Sequence, residues 1–466
     1  MVSILIPAGV LLALYWGWYL GWQRKKGVPL TVPLAFTCLF IPKVNLFNVN
    51  PEYSTAGIRT DDFLALILLI VAIRDVHTWK DKRIRWGIGI LIALTIVSVI
   101  GLITGRANGY DNEVLYAILS MIREYEYFVF ALIGMYIARK TPKAEKMAMG
   151  EMIWASGFHA VIALMQVFRI CGYAVSGIVS DRPSFWQPGI VVSTFNGHYE
   201  YGQFLCFAII IFFCTFLRTR KVRYLLMAFG SCAMIWLTDS RSSLMVGLLM
   251  IVLILLFSIR KDTKPALKAA AVGIVLLAVG AGVLFLTGTI KIGRFNVVNL
   301  GEYAETLRAN IENGDLHWYV TTFRDNAEFS GAAAWISDRS ASARFYLWGS
   351  ALDGFRHHPI FGYGAGVTHV TDGNYVRLLG EGGIVGTLLY LSLLGYYMHI
   401  MRKERKQIPC AKTVFYMILS VLFASAFIDM FRASKPMETL WLAVGLVIGI
   451  SSRKSEENNH LSGESV

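Results

Sequence analysis

One pattern limits this chain before any other. Apolar runs of about twenty residues recur from one end to the other, separated by polar loops. That length is what a helix needs to cross roughly 30 Å of hydrocarbon. Only 16% of the 466 residues are charged and 55% are hydrophobic, whereas soluble domains carry about 25% charge. The pattern predicts an all-α polytopic membrane protein. Expected spans are 2–22, 28–41, 61–77, 84–104, 114–138, 150–171, 193–217, 223–239, 242–259, 266–288, 378–400, 413–431 and 437–452. The second is short and contains Pro33, so the expectation is about twelve to thirteen helices. The first run has no basic segment before it and no small-residue cleavage site, and is read as a retained helix.

Basic residues show which way the spans run. Arg24–Lys26, Lys80–Arg85, Arg139–Lys146, Arg218–Arg223, Arg260–Lys264, Arg402–Lys412 and Arg453–Lys454 follow alternate spans. The positive-inside rule puts these clusters in the cytoplasm, the N-terminus outside and the C-terminus inside. The net charge of +13 then serves topology, and no nucleic-acid partner is expected. Four segments follow: ten membrane helices in 1–288, a large extracytoplasmic loop at 289–377, three helices in 378–452, and a polar tail at 453–466 expected to be disordered. Within the loop, Phe345, Leu347, Trp348, Ala351, Leu352 and Phe355 share one helix face, ended by Pro359. This predicts an amphipathic helix lying along the outer membrane face. Six scattered cysteines offer no metal spacing and no disulfide framework.

Several residues are candidates for chemistry. Arg241, in LTDSRSSL, is either a snorkelling anchor or, with serines capping a helix, an anion site. Arg344 is either a surface contact to headgroups or a second arm of a diphosphate clamp. Asp372 and His369 lie in the glycine-rich stretch FGYGAGVTHVTDGNYVRLLGEGGIVG. Each is a turn or polar residue, or a general base. Asn196, His198 and Glu200 enter the seventh span and either cap it or line an acceptor pocket. Arg123, with Glu124 or Glu126, lies inside the fifth span as a buried ion pair or a cavity-lining site. Asp429 and Arg432 carry the same ambiguity. A transporter or flippase competes with an enzyme, its support being the charge in span five, but no repeated halves are visible.

Three segments together, LTDSRSSLMVGLLMIVLILLF, RFYLWGSALDGFRHHPIFGYGAG and NYVRLLGEGGIVG, resemble the O-antigen ligase and O-antigen polymerase superfamily. The resemblance spans about 190–400 and the topology. It implies a GT-C-like membrane glycosyltransferase of the bacterial cytoplasmic membrane, without metal or cofactor. The implied donor is a glycan on undecaprenyl diphosphate, and the acceptor is a sugar hydroxyl. A chain-length regulator joins the candidate partners. By position, Arg241 and Arg344 match the arginines that hold the diphosphate. The ligase branch has a histidine where this chain reads Thr371-Asp372-Gly373-Asn374, which favours a polymerase of O-antigen, capsule or exopolysaccharide over a ligase. Asp372 is then the first choice of base, ahead of His369 and Glu200, and Asn374 joins the residues expected to bind the acceptor or line the cavity.

Overall fold

The computed structural model describes residues 2–258 apart from 49–56, 110–113, 176 and 182–189, residues 348–366 apart from 350 and 353, and residues 372–462. Thirteen α-helices occur among them. They are α1 (Leu5–Trp18), α2 (Thr31–Phe40), α3 (Thr60–Arg74), α4 (Val76–Lys80), α5 (Lys82–Ala107), α6 (Val114–Lys140), α7 (Ala144–Val167), α8 (His198–Thr219), α9 (Val222–Leu237), α10 (Arg241–Ser258), α11 (Asn374–Glu404), α12 (Pro409–Ala424) and α13 (Ser434–Ser462). Six helical runs among the described residues are long and apolar enough to cross a membrane, and three more are apolar but shorter. This is an all-α polytopic membrane protein. Twelve of the thirteen expected spans coincide with helices; 266–288 lies outside the described residues.

The boundaries depart from expectation where backbone is needed elsewhere. The seventh span starts at His198 and not at 193, because Ser193 takes a left-handed φ of 52° and its N–H donates to Gln166 Oε1 at 2.8 Å. The sixth stops at Val167 and the twelfth at Ala424. Two antiparallel pairs, β1 (Asn45–Asn48) with β2 (Gly57–Arg59) and β3 (Tyr173–Val175) with β4 (Ile178–Ser180), fold the loops at the end away from the basic clusters. The tail departs most. α13 continues to Ser462 through residues whose composition suggested disorder. Arg139 bonds Glu456 at 2.8 Å, and Arg453 donates to the carbonyls of Ala138 in the last turn of α6 and of Thr141 and Pro142 just after it. The amphipathic segment is helical in its described parts through 357, with Ala351 buried.

Two packing devices position the functional end. α6 and α13 run in backbone contact. A Cβ built on Gly445 would fall 2.0 Å from the carbonyl oxygen of Ala131, and one on Gly134 would fall 2.2 Å from that of Leu442. Without a hydrophobic drive between helices in lipid, such close approach of small residues is what binds them. The second device is a break in α11 at Gly383 (φ 60°, ψ −161°). The segment 359–364 enters the break and satisfies its backbone. Ile384 and Val385 donate to the carbonyls of Pro359 and Ile360, and those of Gly380 and Glu381 accept from Tyr363 and Gly364, all within 3.1 Å. A broken helix at membrane depth is tolerated only where protein covers it in this way.

Candidate active site

The end of the bundle away from the basic loops carries most of the buried charge. Its organising element is the start of α8. Gly197, extended at φ −152°, turns the chain into the helix and leaves Asn196 and His198 half-buried and Glu200 buried. Two turns of sequence conspire to bring α10 alongside. A Cβ on Gly202 would fall 2.3 Å from Ser243 Oγ, so glycine there lets the starts of α8 and α10 touch. Ser240 accepts from the Ser243 N–H at 3.4 Å and exchanges a hydroxyl bond with Ser243 at 2.7 Å. Arg241 is therefore the first residue of a serine-capped helix, half-buried, beside the α8 start.

Asp372 lies two residues before α11. Tyr199 lies in the electrostatic reach of Glu200, Asp372 and Asp429 together. Asp372 is held at a left-handed φ of 48°, and the next N–H, of Gly373, donates to Asp429 Oδ1 at 3.3 Å. Asn374 is fully buried and its side chain is committed. Its Nδ2 donates to Ser425 Oγ and the Ile428 carbonyl, both at 3.2 Å, and its Oδ1 accepts from Arg377 at 3.0 Å. It ties α11 to the 425–428 turn. Arg344 and His369 lie outside the described residues.

Behind these groups stand two ion networks. In the first, Glu381 accepts from the Gly366 N–H at 3.0 Å, from Arg377 at 3.2 Å and, with both oxygens, from Arg432 at 2.9 Å. Asp429 lies 3.7 Å from Arg377. In the second, Lys43 bridges Asp61 and Glu438 with all three side chains buried. Burial pulls against the Lys43 ammonium, but the two carboxylates outweigh it and hold the lysine charged, above its ordinary value. Arg123 pairs with Asp62 at 2.8 Å and with Glu126 at 2.5 Å, and donates to the Gly57 carbonyl at 2.6 Å. The charge inside span five is thus an internal ion network. Glu200 lies in the field of Arg59, Lys43 and Lys435, and Lys435 donates to the Thr194 carbonyl at 2.7 Å.

The carboxylates of Asp61, Asp62 and Glu126 offer oxygens within 4.8 Å of one another. Lys43 and Arg123 supply positive charge there, through the Lys43–Asp61 pair and the Arg123 pairs with Asp62 and Glu126. Lys43, Asp61, Lys435, Glu438 and Arg377 were not singled out from the sequence. The available signal was a charge within a turn or two of an apolar run's end. The partner was not legible, since Lys43 and Glu438 lie 395 positions apart.

With this geometry in place, comparison with known proteins adds one finding. Residues 225–391 match the family model described as O-Antigen ligase. The matched stretch runs from α9 into α11 and includes Arg241, Arg344, His369 and Asp372; Glu200, Arg123 and Glu126 lie before it. No curated protein matches the chain.

Proposed function

We propose, for a chain whose residues 225–391 match the O-Antigen ligase family model, that it is a lipid-linked polysaccharide polymerase at the outer face of the bacterial cytoplasmic membrane. The donor is a glycan on undecaprenyl diphosphate and the acceptor is a sugar hydroxyl on a second glycan. The observation that supports this best is the serine-capped helix that begins at Arg241, packed at Ser243 against Gly202 of the helix start that carries Glu200.

The reaction is a displacement at the anomeric carbon. The acceptor oxygen bonds to that carbon while its bond to the diphosphate breaks. The acceptor's proton passes to a carboxylate, Asp372 first, with Glu200 and His369 as the other candidates. The lipid diphosphate leaves with the bonding pair, and Arg241 and Arg344 hold its developing charge. Guanidinium matches phosphate oxygens with a planar fork, and each such donor supplies on the order of 3 kcal/mol in a shielded site. Two arginines thus do the work of a metal, and activity is expected to survive chelation. The topology follows the basic clusters, N-terminus outside and C-terminus inside.

The aspartate in place of the ligase histidine favours polymerase. The name of the matched family favours the second reading, a ligase that moves finished glycan to a lipid or protein. The transporter reading loses its support, since Arg123 is taken up by Asp62 and Glu126. A deletion strain separates the two enzymes. A polymerase mutant accumulates single lipid-linked repeat units; accumulation of long lipid-linked chains would overturn this proposal in favour of the ligase.

A further inference from the structure

The opposite end of the bundle holds a cavity that the glycosyl-transfer reading does not use. It encloses about 510 Å³ between α7, α8, α10, α12 and α13, within the roughly 300–1,000 Å³ range of small-molecule sites. Its two parts differ in chemistry. The body is apolar, lined by side chains such as Met149, Met152, Phe257, Met417 and Leu446. The polar part carries Arg218, Arg220, Arg405 and Lys412 against one carboxylate, Glu145, so four positive charges less one leave a net of three.

The carboxylate is already engaged, because Glu145 pairs with Arg218. Lys412 donates to Ser258 Oγ at 3.2 Å, a neutral partner that leaves its charge uncompensated. Among the described residues no carboxylate pairs with Arg220, Arg405 or Lys412. Arg220 takes a left-handed φ of 58° at the end of α8, where the chain turns between the two basic flanks of α8 and α9.

We infer that this cavity binds an anionic phospholipid, with the phosphodiester among Arg220, Arg405 and Lys412 and one acyl chain in the Met149–Phe257–Leu446 body. Both halves of the cavity are needed to choose this ligand. A soluble anion has no use for the apolar body, and a zwitterionic lipid does not answer three cations that no carboxylate among the described residues pairs with. Basic pockets between membrane helices on the cytoplasmic side suit such headgroups, and arginine binds phosphate oxygens in pairs. The site is independent of the glycosyl-transfer site, since none of its residues belongs to that cluster.

The test uses the full chain, purified in detergent, with thermal stability as readout. The probes are dioleoyl phosphatidylglycerol, dioleoyl phosphatidylcholine and glycerol 3-phosphate. Phosphatidylglycerol is expected to raise the midpoint at concentrations where the other two do nothing. Replacing Arg220, Arg405 and Lys412 together by Gln should weaken the phosphatidylglycerol response on the order of a hundredfold, at roughly a few-fold per cation near a membrane surface, with the lipid-free midpoint unchanged. Met149→Trp, which fills the body and leaves every charge, should also abolish it. Equal responses to the two lipids, or an unaltered phosphatidylglycerol response in the triple variant, would refute the site. Glycerol 3-phosphate acting as well as phosphatidylglycerol would reject the lipid and leave a soluble anion.

Discussion

Asp372 occupies a backbone region that few side chains visit, at φ 48°. Asparagine and aspartate tolerate it far better than other non-glycine residues. Asp372→Asn therefore keeps the fold of the turn and removes only the carboxylate, which makes it a clean probe of the proposed base. Loss of a general base costs typically 10²- to 10⁴-fold, so kcat is expected to fall by about that much with donor binding little changed; an unaltered kcat removes Asp372 from the reaction. Arg241 stands differently. Its place at a capped helix start supports anion binding, and Arg241→Ala or Arg344→Ala is expected to lower turnover about 10²- to 10³-fold while the protein still inserts. Lysine should restore little, for want of a planar fork. Wild-type rates in both alanine variants would end the clamp. Asn374, expected from the sequence to bind the acceptor or line the cavity, turned out to be a buried strut whose hydrogen bonds are used within the fold.

Among the elements, α11 and α13 explain why glycine recurs in a membrane chain. The FGYGAG and GEGG segments read as flexible backbone, yet in the structure they interlock. Gly383 breaks α11, and the segment 359–364 fills the break with four backbone hydrogen bonds. The glycines make close approach feasible and do not confer looseness. The same reasoning sets a test on α13. Gly445→Val would drive carbon into the Ala131 carbonyl and should cost at least the 1–3 kcal/mol typical of overpacking, lowering the thermal midpoint in detergent. Gly395→Val is the control, since nothing lies within 4 Å of its Cβ position. Equal midpoints for the two variants would show that α6 and α13 are not bound by this contact. Element boundaries were legible to within a few residues because apolar length is local. The helical tail was not, because a charge-rich composition reads as solvated until Glu456 and Arg453 find their partners on α6.

At the scale of the whole molecule, charge is distributed between two ends with different tasks. One end has clustered lysine and arginine in loops; the other buries ion networks between helices. Removing one partner from a buried pair costs about 3–5 kcal/mol, because the remaining charge is stranded. Lys43→Met strands both Asp61 and Glu438, so the thermal midpoint should fall sharply. Adding Asp61→Asn and Glu438→Gln to that variant should recover part of the loss. A Lys43→Met protein as stable as wild type would mean that the network does not hold α3 to α13.

By itself the sequence determined the polytopic helical class, the alternation of basic loops and the segments that carry the family resemblance. Each depends on residues near one another along the chain, where hydropathy and charge act locally. The tertiary structure alone decided which charges pair. It joined Lys43 to Glu438 and Arg123 to Asp62, and tied Asn374 to the 425–428 turn. The physical reason is that a buried charge must have a partner, but nothing local states which one; the close packing of α6, α8, α11 and α13 makes that choice.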